Sequence, residues 1–176
     1  MSVGRSELPR ARARCFTASG FGVWTACIER ASDSCYVISS GSVEGECFRE
    51  DPCERVGGHF RDIDENRALL EKDLIVVVDN GCLHAHAGSI LCKERIEAFH
   101  ARVVVEEGST ISEGQTIAFT LSRKSTVRHV KAGAGGLVLL VHWNPQASID
   151  EYTVYIDCMK QVRRYERREE RGTRDI

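Results

Sequence analysis

From Asp73 onward the chain is one short apolar segment after another, each closed by a turn signal, and that rhythm limits what it can fold into. Residues 74–78 end at Asp79-Asn80-Gly81, a hairpin-turn signature. Segments 82–87, 101–105, 115–121, 126–132, 136–143 and 152–158 follow at close spacing. Short strands with glycine-bearing turns between them build an all-β barrel or sandwich.

The same reading extends upstream. Segments 21–28 and 35–39 flank a polar turn at 29–34 and read as a hairpin, with Cys27 and Cys35 placed symmetrically for a cross-strand contact. Residues 63–72 look like a short helix, with Asp62 as N-cap and Asp64 and Glu65 in the first turn. Residues 93–99 suit a helical turn or more, and the charged run after Cys158 suits an exposed helix. The expected organisation is a flexible basic arm (1–14), a cysteine-rich β lobe with the short helix (15–72), a β barrel (73–158) and a charged tail (159–176).

Eight cysteines in 176 residues form no C-x-x-C pair, so zinc-ribbon and thioredoxin-like readings lose their main signature. Five of them precede residue 54, which points to disulfide staples in the first lobe. The first residues show no apolar signal-peptide core, and no apolar run approaches the roughly 20 residues that span a bilayer. Disulfides without a leader fit a hyperthermophile cytosol. Scarce Asn, Gln and Met beside plentiful charge agree with that source. The expectation is a thermophilic, cytoplasmic protein with no membrane association.

The net charge of −2 conceals an asymmetry: each end carries a surplus of three positive charges on a strongly acidic body. Basic ends can grip nucleic acid. Here no aromatic residues interleave the N-terminal arginines, and glutamates alternate with the C-terminal ones, so nucleic acid is not the expected partner.

Within residues 103–138, Gly108 and Gly114 bracket a tight turn and Ile111 between them can drop into a core. Gln115 opens a strand carrying Ile117, a polar hairpin tip at 122–125 leaves Lys124 in solvent, and Ala132 and Val138 follow a second glycine-rich turn. This order resembles the biotinyl/lipoyl carrier fold, a barrel-sandwich hybrid, over residues 73–143. That fold implies an internal pseudo-twofold, and A-H-A-G-S-I-L at 85–91 parallels A-G-A-G-G-L-V at 132–138. The whole chain is similar to an uncharacterised archaeal family built around this fold. The resemblance places Lys124 where carriers attach a prosthetic group. The flanking Leu121-Ser122-Arg123-Lys124-Ser125 matches neither the methionine-flanked lysine of biotin carriers nor the acid-preceded lysine of lipoyl carriers, so neither cofactor is expected.

Two further groups carry candidate chemistry. Cys82, His84 and His86 fall at period two on a strand, projecting potential zinc ligands from one face, with His59, His100 or Cys92 able to complete a site. The bland alternative pairs Cys82 with another cysteine such as Cys92. Arg123, Lys124, Arg128, His129 and Lys131 make a basic hairpin able to dock an acidic partner surface. No Ser-His-Asp arrangement, P-loop or dinucleotide fingerprint is legible, so no catalytic residues are named. The favoured expectation is a non-enzymatic binding or assembly module with a protein partner and no cofactor. The alternatives are an acyl- or carboxyl-carrier modified at Lys124, and a zinc protein centred on Cys82, His84 and His86.

Overall fold

Alternating apolar positions and turn chemistry carry more than half of the described residues into strands, antiparallel in every pairing but β16 with β3, in the computed structural model, which describes residues 13–39 and 45–168. The first strands are β1 (Arg14–Thr17), β2 (Thr25–Glu29), β3 (Ser34–Ile38) and β4 (Glu46–Asp51), followed by a one-turn helix α1 (Cys53–Val56). Next come β5 (Phe60–Asp62), β6 (Arg67–Leu70), β7 (Leu74–Val78), β8 (Gly81–Ala85), β9 (Ile90–Ala98) and β10 (His100–Val103). The chain continues through β11 (Thr110–Ile111), β12 (Thr116–Leu121), β13 (Val127–Lys131), β14 (Gly136–Trp143), β15 (Asp150–Asp157) and β16 (Arg163–Arg167). Among the described residues no helix is long and apolar enough to cross a membrane.

Seven strands close a barrel in the order β1-β4-β2-β3-β16-β8-β7. A six-stranded sheet, β11-β14-β15-β9-β6-β5, and a three-stranded sheet, β10-β12-β13, make up the rest. Strand β7 explains how they stack. All five of its residues are buried, which in a strand means that both faces are covered. Ile75 and Val77 pack with Phe16, Ala26, Ile28 and Phe48 inside the barrel. Leu74, Val76 and Val78 pack outward against Leu139, Leu140 and Tyr155 of the six-stranded sheet. The other face of that sheet, with Ile96, Val138, Val154 and Ile156, meets Ile117 and Ala118 of the three-stranded sheet. A bulge between Val138 and Leu140 shifts the register against β15 and lets both Leu139 and Leu140 join the barrel-side core.

Several expectations need correction. Residues 63–72 are not helical. Asp64 accepts the Asn66 N–H and pairs with Arg67, closing a turn between β5 and β6, and Ala68 and Leu70 are buried at period two. Residues 93–98 belong to β9, which β6 and β15 flank on either side. Its charges are met across strands, Lys93 by Asp62 and Arg95 by Glu151, and along the strand, Arg95 by Glu97. The charged tail supplies β16 rather than a helix: Tyr165 is buried in the barrel while Arg163 and Arg164 reach Asp33 and Asn80. Its residues 169–176 lie outside the described residues, as do residues 1–12 of the basic arm, and Arg14 of that arm begins β1.

Four disulfides, Cys15–Cys53, Cys27–Cys47, Cys35–Cys82 and Cys92–Cys158, engage every cysteine. The β2–β3 hairpin forms, but its cysteines do not meet. Cys27 lies opposite Tyr36 and Cys35 opposite Ile28, so their side chains leave opposite faces of the sheet. Sheet pairing does not follow the expected boundary at residue 73 either, since β7, β8 and β16 complete the same barrel as β1–β4.

Candidate functional site

The β7–β8 hairpin pairs Ile75 with His84 and Leu74 with Ala85, so one further step sets Asp73 against His86. His84 follows Cys82 and Tyr165 on the inner face of the barrel and is wholly buried. His86 and Asp73 extend that face to the barrel mouth, with side chains 46% and 26% exposed. His84 Nε2 lies 3.1 Å from Asp73 Oδ2, and His86 Nδ1 lies 3.5 Å from the same oxygen. The two imidazoles are 4.1 Å apart between centroids. The donor atoms of all three residues fall within 4.8 Å of one another.

The electrostatics follow from burial. Loss of water pushes the His84 pKa down, the Asp73 hydrogen bond pulls it back, and the net shift is downward, toward the neutral imidazole. Burial pushes the Asp73 carboxyl up, but the Ala87 N–H, the His84 hydrogen bond and both imidazoles outweigh it, and its pKa falls. The Ala87 N–H donates to Asp73 Oδ1 at 2.8 Å, which fixes the carboxylate and leaves Oδ2 facing the histidines.

Of the expected ligands, His84 and His86 come together and Cys82 does not join them, because its sulfur is bonded to Cys35. Cys92 is bonded to Cys158 and not to Cys82. His59 stands 3.6 Å from Asp51, and His100 is on the three-stranded sheet. The missed member is Asp73. Its signal lay in the hairpin: strands folded symmetrically about Asp79-Asn80 set residue 73 opposite residue 86.

The basic residues converge on a different surface. In the three-stranded sheet Phe119 lies opposite both Arg102 and His129, and Leu121 opposite His100 and Val127, so these six share the outer face. Phe119 meets the His129 ring edge-on at 4.7 Å, and Val127 is 61% exposed. Arg128 pairs with Thr120 and leaves the opposite face at the free edge. At the hairpin tip Ser122 Oγ accepts the N–H groups of Lys124 and Thr126, and Lys124 is exposed. Arg123 folds over the Phe99 ring at 4.8 Å.

A groove of about 880 Å³ separates the barrel from this sheet, lined by Arg14, Asp51, Glu54, Arg102, His142 and Trp143 among others. Arg14 forms a two-pronged pair with Glu50, Asp51 accepts from Thr17, and His142 Nε2 contacts the Glu54 carbonyl. The last of these ties β14 to α1, while the first two join β1 to β4 within the barrel.

No curated protein matches the sequence. A family model described as "Uncharacterized protein conserved in archaea (DUF2118)" matches residues 38–157, more than half of the chain. The chain, with its closed barrel and two further sheets, therefore belongs to this archaeal family.

Proposed function

We propose that this protein is a non-enzymatic binding or assembly module in which a biotinyl/lipoyl-like hybrid presents a basic, aromatic sheet face to an acidic protein surface. One observation carries the reading: β10, β12, β13 and the tip joining them contain no Asp or Glu, but do contain His100, Arg102, Arg123, Lys124, Arg128, His129 and Lys131. On an acidic chain this is a local inversion of charge. Phe119 and Val127 add an apolar centre, the composition of a protein contact rather than of a phosphate-tracking groove.

The carrier-like reading rests on the turn before β12. Gly108 and Gly114 adopt φ of +90° and +87°, a region that favours glycine, and Ile111 is buried between them. Gln115 Oε1 accepts the Ser112 N–H and closes that turn. The tip lysine then protrudes from the β12–β13 hairpin, but Arg123 beside it is held on Phe99 and supplies neither methionine nor acid to a modifying enzyme.

Fluorescence anisotropy with labelled polyglutamate tests the face. Salt-sensitive binding should weaken at least about tenfold in Arg102→Glu/Lys131→Glu and in Phe119→Asp. Unchanged binding in both variants refutes the proposal. Intact mass of the protein from its own host should show an unmodified Lys124, and a biotinyl or lipoyl adduct there would replace this reading with the carrier.

A further inference from the structure

The geometry points to a second site on the molecule: we propose that Asp73, His84 and His86 bind one divalent transition-metal ion at the barrel mouth, with a coordination position open to solvent. Two ligands bonded to one ion at about 2.1 Å stand about 3.4 Å apart in a tetrahedral site. The Asp73–His84 and Asp73–His86 separations, 3.1 and 3.5 Å, bracket that value. The donor atoms of the three residues lie within 4.8 Å of one another, so an inserted ion would draw the two imidazoles together around the Asp73 oxygen.

One feature favours an ion over a simple hydrogen-bonded trio. Asp73 offers one oxygen, Oδ2, to both imidazoles while its other oxygen is held by the Ala87 N–H. A backbone clamp of this kind is what orients a ligating carboxylate. His84, fully buried, aims Nε2 into the cluster.

Charge and access agree. Arg163, paired in register with His84, sends its guanidinium to Asp33, so that cation already has an anionic partner. Two imidazoles and one carboxylate suit zinc, cobalt or iron in the divalent state. Three protein ligands with the outer side exposed leave room for water or a substrate atom, unlike the closed four-ligand sites that only brace a fold.

The test uses the full-length, disulfide-intact protein, stripped with chelator and titrated with Zn²⁺ and separately with Co²⁺. The expected result is one equivalent bound, with a cobalt spectrum lacking a thiolate charge-transfer band. His86→Ala removes a half-exposed ring with little risk to folding, and Asp73→Asn keeps the carboxylate shape. Each should weaken binding at least about tenfold, and Cys35→Ser/Cys82→Ser should bind as the parent does. Absence of stoichiometric binding, or binding unchanged in His86→Ala and Asp73→Asn, overturns the site. Loss confined to the cysteine variant overturns the ligand set.

Discussion

Cys35 and Cys82 are covalently joined although their strands are not neighbours in the barrel, because β16 lies between β3 and β8. Strand β16 itself pairs with β3 through only two residue pairs, Glu166–Ser34 and Arg167–Cys35. The disulfide thus secures the closure that the ladder makes weakly. Amide exchange should show β16 opening at lower free energy than β7 and β8. In Cys35→Ser/Cys82→Ser the faster exchange should spread to β3. Equal protection of β3 in both proteins would show that the disulfide does not govern closure.

The four disulfides close loops of different length, and chain entropy ranks them. Cys92–Cys158 spans a sequence separation of 66 and Cys27–Cys47 one of 20. Replacing the first pair with serine should cost about 4 kcal/mol and the second about 3 kcal/mol. Urea unfolding of the two double variants checks the order, and a larger loss at Cys27–Cys47 would contradict it.

Tyr155 stacks on Phe60 with ring centroids 3.8 Å apart, and burial, helped by the Asp62 charge, pushes its pKa up to about 12. An unfolded tyrosine ionises near pH 10. Above that pH the unfolded chain releases a proton the folded chain keeps, so stability falls as pH rises from about 10 toward about 12. The loss should reach about 1 kcal/mol by about pH 11. Tyr155→Phe should flatten this slope in paired unfolding curves, and an unchanged slope would assign it elsewhere.

Asp51 is a buried carboxylate whose Oδ2 accepts the Thr17 hydroxyl at 2.8 Å, with His59 and Arg55 standing off at 3.6 and 3.8 Å. Its Oδ1 has no hydrogen-bond partner among the described residues. Thr17→Val keeps the shape and removes the closest donor, so it should destabilise by about 2 kcal/mol. In Thr17→Val/Asp51→Asn the two losses should not add, and full additivity would show that the pair is uncoupled.

Much of the strand pattern was legible because apolar residues alternate and turns carry Asn, Asp or Gly. The β7–β8 and β12–β13 hairpins and the burial of Ile111 follow from those signals alone. Errors came where sequence period is ambiguous. Ala68-Leu69-Leu70 suits a helix as well as a strand, and only pairing with β9 decides it. The run around Tyr165 has one apolar residue in five, so its place in a barrel comes from partners distant in sequence. At the candidate site the two histidines were visible from their spacing. Asp73 was hidden because its partnership crosses a hairpin rather than running along a strand, and Cys82 was misplaced because disulfide connectivity is not written in spacing.

The return of β16 to the first barrel has a consequence for synthesis. A ribosome delivers β1 to β8 and then all of residues 86–162 before the strand that fits between β3 and β8. At about 5–20 residues per second this leaves two open barrel edges exposed for roughly 4–15 s. During that interval the nascent chain is a sheet with unpaired N–H and C=O rows, the form most prone to pairing with a neighbour. Early formation of Cys35–Cys82 would draw those edges together ahead of their missing strand, giving the bond a role in birth as well as in maintenance.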